Sequence, residues 1–310
     1  MPRPGIRRRA RALAAAALVA LLAACQTAPP GAAVAPVPAI AASAPAVPKP
    51  APRPPRIGLV LGGGAARGFA HIGVIQVLQE HGITPSLVVG TSAGSLVAAM
   101  YASGKSGVEL GSLAESMDEG AIADWAFPGR GLIRGEALAR YVRQHTEGLM
   151  IEQMRLPLGI VATDLASGKP ILFQRGDPGL AVRASSAVPA VFQPVKIGGH
   201  EYVDGGLVAP VPVHFARQMG AELVVAVDIS APPEAGATGD AMGMLLQTFA
   251  IMGRSINDYE LREADIVLRP KLAGVGSADF AARRRSIQAG REAALAMLPA
   301  LEQRIAALTR

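Results

Sequence analysis

The chain has 310 residues, 50% of them hydrophobic, enough for one sizeable core and too few for two full domains. The formal charge of +6 does not indicate a nucleic-acid binder: residues 1–56 hold eight Lys or Arg and no acid, so the remaining 254 carry 22 basic against 24 acidic side chains, about −2. A single cysteine, Cys25, excludes a disulfide framework.

The elements follow in chain order. Arg3, Arg7, Arg8, Arg9 and Arg11 make a basic start, and Ala12–Ala24 is a short apolar run too brief to span a bilayer. Together they read as an export signal over residues 1–25. Leu22-Ala23-Ala24-Cys25 resembles the lipobox of bacterial lipoproteins, which implies diacylation of Cys25 and attachment to a membrane. Gln26 stands where an Asp marks inner-membrane retention, so the expected location is the cell envelope, facing the periplasm, on the outer membrane. Residues 26–56 are almost wholly Ala, Pro and Val and read as an extended tether.

From Ile57 the pattern changes. Ile57–Leu61 is a short apolar run of the buried parallel-strand type. A helix is expected over Gly68–His81, a strand at Leu87–Val89 and a helix over Ala93–Ser103. Further strands are expected at Leu158–Thr163, Ile171–Gln174, Leu223–Ile229 and Asp265–Leu268, with a hairpin over Val195–Val203 turning at Gly198-Gly199. Helices are expected at His214–Met219, Leu245–Arg262 and Ser286–Leu308. The fold class is therefore α/β, with a mainly parallel central sheet in a three-layer sandwich, and residues 57–310 form its one domain. The apolar stretch from Met242 to Met252 reads as core in preference to a lid or membrane-contacting face, and Trp125 as packing or the border of an apolar channel.

Three segments carry chemistry. Gly90-Thr91-Ser92-Ala93-Gly94 lies between a strand and a helix, the setting of a nucleophile elbow that lifts Ser92 above the sheet edge. Gly62, Gly63 and Gly64, with Arg67 and Gly68, form a glycine-rich turn after the first strand. As a dinucleotide fingerprint this turn fails, because Arg67 stands at the sixth place and no acid ends the second strand. Its amides instead suit an oxyanion hole, and Arg67 either steadies the loop or meets a phosphate. Asp204-Gly205-Gly206 offers an unobstructed carboxylate that, partly buried, can serve a serine as base. His214 follows in the Ser, Asp, His order of hydrolase triads, yet the two prolines before it equally suit a helix-face residue. His71, His81, His145 and His200 lack metal-ligand spacing, so neither a metal nor another cofactor is expected.

These segments, Gly62–Gly68 with Phe69-Ala70-His71-Ile72-Gly73-Val74, then Gly90–Gly94, then Asp204–Gly206, resemble in order those of bacterial patatin-like phospholipases, especially short members similar to the esterase domain of neuropathy target esterase. Arg183–Phe192 is similar to that family's stretch joining core to aspartate hairpin. The resemblance implies a patatin-like fold and a Ser92–Asp204 dyad needing no histidine, with amides of Gly63, Gly64 and neighbours as oxyanion donors. It also implies hydrolysis of phospholipid, lysophospholipid or simple acyl esters through an acyl-enzyme, as a phospholipase A or lysophospholipase. Acyl transfer through the same intermediate, and a non-catalytic lipid-binding envelope protein, are the competing readings. Oligomeric state is left open.

Overall fold

The computed structural model describes residues 52–118, 124, 131–230, 239–276 and 278–310. The leader with Cys25, residues 26–51 of the tether, and Trp125 lie outside the described residues.

Strand β1 (Ile57–Leu61) is followed by a 3-10 turn, Ala65–Gly68, that runs directly into α1 (Phe69–Glu80). Then come β2 (Leu87–Thr91), α2 (Ala93–Ala102), α3 (Gly107–Ser116), the short β3 (Gly131–Ile133) and α4 (Glu136–His145). The middle of the chain holds β4 (Leu158–Asp164), β5 (Pro170–Phe173), α5 (Pro178–Ser185), β6 (Ala190–Phe192) and the hairpin β7 (Val195–Ile197) and β8 (His200–Asp204). The last part holds α6 (Val213–Gln218), β9 (Leu223–Val227), α7 (Ala241–Glu260), β10 (Ile266–Leu268) and α8 (Arg283–Leu308).

Among the described residues an eight-stranded sheet runs β10-β9-β1-β2-β4-β8-β7, with β5 on the other edge of β4, and β3 pairs β6 separately. The pairs from β10 to β4 are parallel, and β5, β7 and β8 form an antiparallel end. Both faces are covered, so the parallel strands β1, β2, β4 and β9 are buried along almost their whole length and carry mostly apolar side chains. In β1, Ile57, Leu59 and Leu61 join the larger core with residues of α1, α2, α3 and α8, while Val60 joins a second core with Phe215 and Ala216 of α6. This is the expected α/β architecture, a central sheet flanked by helices.

Helices α1 and α8 cross with their backbones nearly touching. A Cβ on Gly73 would enter the Ile287 carbonyl, and one on Gly290 would enter that of Ala70, so glycine on both sides permits the approach. Three helices absent from the expected set, α3, α4 and α5, complete the face that carries the larger core. One assignment is corrected. The Met242–Met252 stretch is not core: in α7 only Asn257 is buried, and Met244, Leu246, Ile251 and Met252 are exposed. That helix touches the body along a narrow strip near Gly205–Leu207 and Pro210, too little to enclose its apolar side chains. No helix among the described residues is long and apolar enough to cross a membrane.

Candidate active site

The register of β4 brings the two chemically important segments together. Thr91, the last residue of β2, pairs with Val161 of β4. Asp204, the last residue of β8, pairs with the next residue, Ala162. Because β5 occupies the opposite edge of β4 from Ile160 to Thr163, across the point where β2 gives way to β8, β2 and β8 share one edge and meet end to end. Ser92 and Asp204 leave that junction as neighbours despite their separation in sequence.

Ser92 is the N-cap residue of α2, with φ 52° and ψ −124°. That left-handed conformation is costly for a residue with a Cβ, on the order of 1–3 kcal/mol, and persists because its surroundings over-determine it. Gly94 lets the elbow pack, since a Cβ there would enter the carbonyl of Leu61. The Ser92 amide donates to Ser185 Oγ at 2.8 Å, and that hydroxyl donates onward to the Val161 carbonyl at 2.5 Å. Thr91 Oγ1 donates to the Ala209 carbonyl and Thr163 Oγ1 to the Asp204 carbonyl, each at 2.8 Å. The buried Ser185 and Thr163 hydroxyls thus tie the two strand ends to β4, and the buried Thr91 hydroxyl ties the end of β2 to the segment that follows Asp204.

The serine hydroxyl itself donates to Asp204 Oδ2 at 2.8 Å. Asp204 Oδ1 accepts the Gly206 amide at 2.6 Å, so the glycine turn aims the carboxylate as well as freeing it. Burial pushes the carboxyl up from 3.8 to about 6, against the two hydrogen bonds that pull it down. A weak acid in that range can hold a proton taken from serine and release it near neutral pH.

The glycine-rich turn lies against this pair. An added Cβ on Gly63 would stand 3.3 Å from Ser92 Cβ, and one on Gly68 would stand 2.8 Å from Ala93 Cβ. The amides of Gly62 and Gly63 donate to the carbonyls of Val227 at 3.1 Å and Pro210 at 2.9 Å. Two of the expected oxyanion donors are thus engaged in holding the loop. The amides of Gly64 and Ala65 carry no hydrogen bond among the described residues, and Ala65 turns the chain through φ 51°.

Arg67 steadies the loop: its Nε donates to the Ile229 carbonyl at 2.9 Å. His71, which spacing gave no role, is fully buried with Nε2 2.8 Å from the Gly62 carbonyl, and burial lowers it to about 4. The ring is therefore neutral at pH 7 and donates through Nε2. The Gly62–Gly63 peptide is consequently held at both ends, its carbonyl by His71 and its amide by Pro210. His214 Nδ1 pairs with Glu260 Oε1 at 2.7 Å, which raises its pKa. Of the two readings left open for it, the helix-face residue is the one observed, and Ser92 reaches Asp204 with no imidazole between them.

A family model described as patatin-like phospholipase matches residues 59–217. An uncharacterized NTE family protein of Mycobacterium tuberculosis is 38% identical over 190 residues, 60% of this chain and 52% of that protein. The human patatin-like phospholipase domain-containing protein 6 is 31% identical over 229 residues, 71% of this chain and 16% of that protein. The chain thus spans about half the length of the mycobacterial relatives it matches, and less of the human one. Among solved structures, VipD from Legionella pneumophila shares the fold, with a TM-score of 0.55 at 15% identity over 80% of this chain and 68% of that one.

Proposed function

The chain belongs to the patatin-like phospholipase family, and from that premise we propose that it is a serine acyl-ester hydrolase acting on phospholipid or lysophospholipid, with Ser92 as nucleophile and Asp204 as general base. The observation that carries this reading is the 2.8 Å hydrogen bond from Ser92 Oγ to a buried carboxylate raised to about 6. Asp204 takes the hydroxyl proton as Ser92 Oγ attacks the ester carbonyl, forming a tetrahedral oxyanion. The amides of Gly64 and Ala65, on a loop locked by His71, Pro210 and Arg67, supply the donors, and the N-terminus of α2 favours the same negative charge. Collapse expels the alcohol, which recovers the proton from Asp204 and leaves an acyl group on Ser92. Water, deprotonated by the same carboxylate, then releases the fatty acid and restores the serine.

A fluorophosphonate probe is expected to modify Ser92, identified by peptide mass spectrometry, with no metal added. A probe adduct on any other serine would overturn the assignment.

The catalytic unit begins at about residue 57, and Cys25 is its lipid-modified attachment point in the cell envelope, on the outer membrane. The basic, apolar, Cys-terminated leader supports this reading. An alkyne-fatty-acid label is expected on the wild type and absent from Cys25→Ser; label retained by the variant would refute the anchor.

A further inference from the structure

Next to the elbow opens an apolar cleft. It starts at Ala65, Gly68 and Ala93, residues of the glycine turn and of the first position after Ser92, and passes between α1, α2 and α3. Every side chain on it is apolar apart from the Tyr141 hydroxyl. A glycerophosphate headgroup placed there would lose its hydration and gain almost no hydrogen bonds in exchange. A hydrocarbon chain loses nothing and gains with each methylene buried.

Burial separates mouth from floor. Ile72, Val97, Met100, Leu110 and Ala114 are buried, whereas Tyr141 and Phe280 are only half-buried. Ala114 is the smallest of the floor residues contributed by α3. The helix that carries it has no freedom to retreat. Its first residue, Gly107, is bound to α1 on both sides of its backbone, the carbonyl accepting from Gln76 Nε2 at 3.0 Å and the amide donating to Gln79 Oε1 at 2.8 Å. At the other end Arg283 Nη1 donates to the carbonyls of Ala114 at 2.8 Å and Met117 at 3.1 Å, while its guanidinium lies 5.9 Å from the Phe69 ring centre. Extra volume at position 114 therefore goes into the cavity.

We infer that this cavity receives the acyl chain of the substrate and that Ala114, held in place by Arg283, determines the chain length accepted. The inference rests on the hydrolase reading above, because it assumes that the ester carbonyl sits at Ser92. Each methylene buried is expected to raise kcat/KM about fourfold until the floor is reached.

The test compares p-nitrophenyl butyrate, laurate and palmitate on wild type, Ala114→Leu and Leu110→Ala. Ala114→Leu is expected to lower the laurate-to-butyrate ratio of kcat/KM by at least about tenfold. Leu110→Ala is expected to move the preference from laurate toward palmitate, a change of ratio that any folded fraction reports. Chain-length ratios unchanged in both variants, or butyrate and laurate falling together in both, would overturn the inference. Butyrate turnover in wild type that survives Ser92→Ala would instead defeat the hydrolase assignment on which it stands.

Discussion

Replacing Ser92 with alanine is expected to lower ester hydrolysis by at least about 10⁴-fold, the scale lost when a catalytic serine is removed from an acyl-enzyme pathway. Its effect on folding is expected to be small, with a thermal midpoint within about 3 °C of wild type. The reasoning lies in what the side chain holds. Its hydroxyl makes one hydrogen bond, to Asp204, while the anchoring bond to Ser185 comes from the Ser92 amide, which alanine keeps. Alanine also keeps the Cβ and so keeps the cost of φ 52°. The variant thus separates chemistry from architecture. Without the hydroxyl the Asp204 carboxyl loses one of the two interactions that lower its pKa, so its titration moves further up, a shift that NMR can follow. Ester turnover preserved in a folded Ser92→Ala protein would refute the nucleophile assignment.

Local signals revealed much of this molecule, and long-range pairing concealed the rest. The short apolar strands β1, β2 and β9 and the helices after them follow from periodicity, because both faces of the sheet are covered. The G-x-S-x-G segment and the glycine turn stand out for the same reason: their chemistry is contiguous. Two unexpected helices had legible starts, since Ser106 with Glu109 is a capping box and Asp177-Pro178 places a capping side chain before proline.

Other features have no local signature. The meeting of Ser92 with Asp204 depends on β2 and β8 sharing one edge of β4, a matter of register between segments far apart in sequence. Ser185 acts through a backbone amide distant along the chain, and His71 through a carbonyl, so neither residue's spacing reveals its task. The same limit applies to the proposed oxyanion donors. Composition singles out the three glycines alike, but only the contacts with Val227 and Pro210 show that the first two amides are engaged. The exposed Met and Ile side chains of α7 illustrate the converse, because an apolar run reports what a segment prefers and not what reaches it.

Changing Asp204 to asparagine is expected to have opposite effects on rate and on stability. Asparagine matches the carboxylate in shape and its oxygen still accepts the Gly206 amide, but it takes no proton from Ser92, so kcat is expected to fall by roughly 10² to 10⁴-fold. In wild type, kcat/KM is expected to rise with pH up to about 6 and then level, as the buried carboxyl loses its proton. The same titration sets the stability. The folded carboxyl holds its proton up to about pH 6, whereas unfolding returns it to about 3.8. Above both values folding must bury a charge, at a cost of roughly 3 kcal/mol, and below both the cost is absent. The neutral amide of the Asp204→Asn variant carries no such burden. That variant is therefore expected to be more stable than wild type by roughly 1 to 3 kcal/mol near pH 8, with the difference closing below about pH 4. Chemical denaturation at the two pH values measures it. A constant difference would mean that the carboxyl is not perturbed, and a variant retaining wild-type turnover would remove Asp204 as the base.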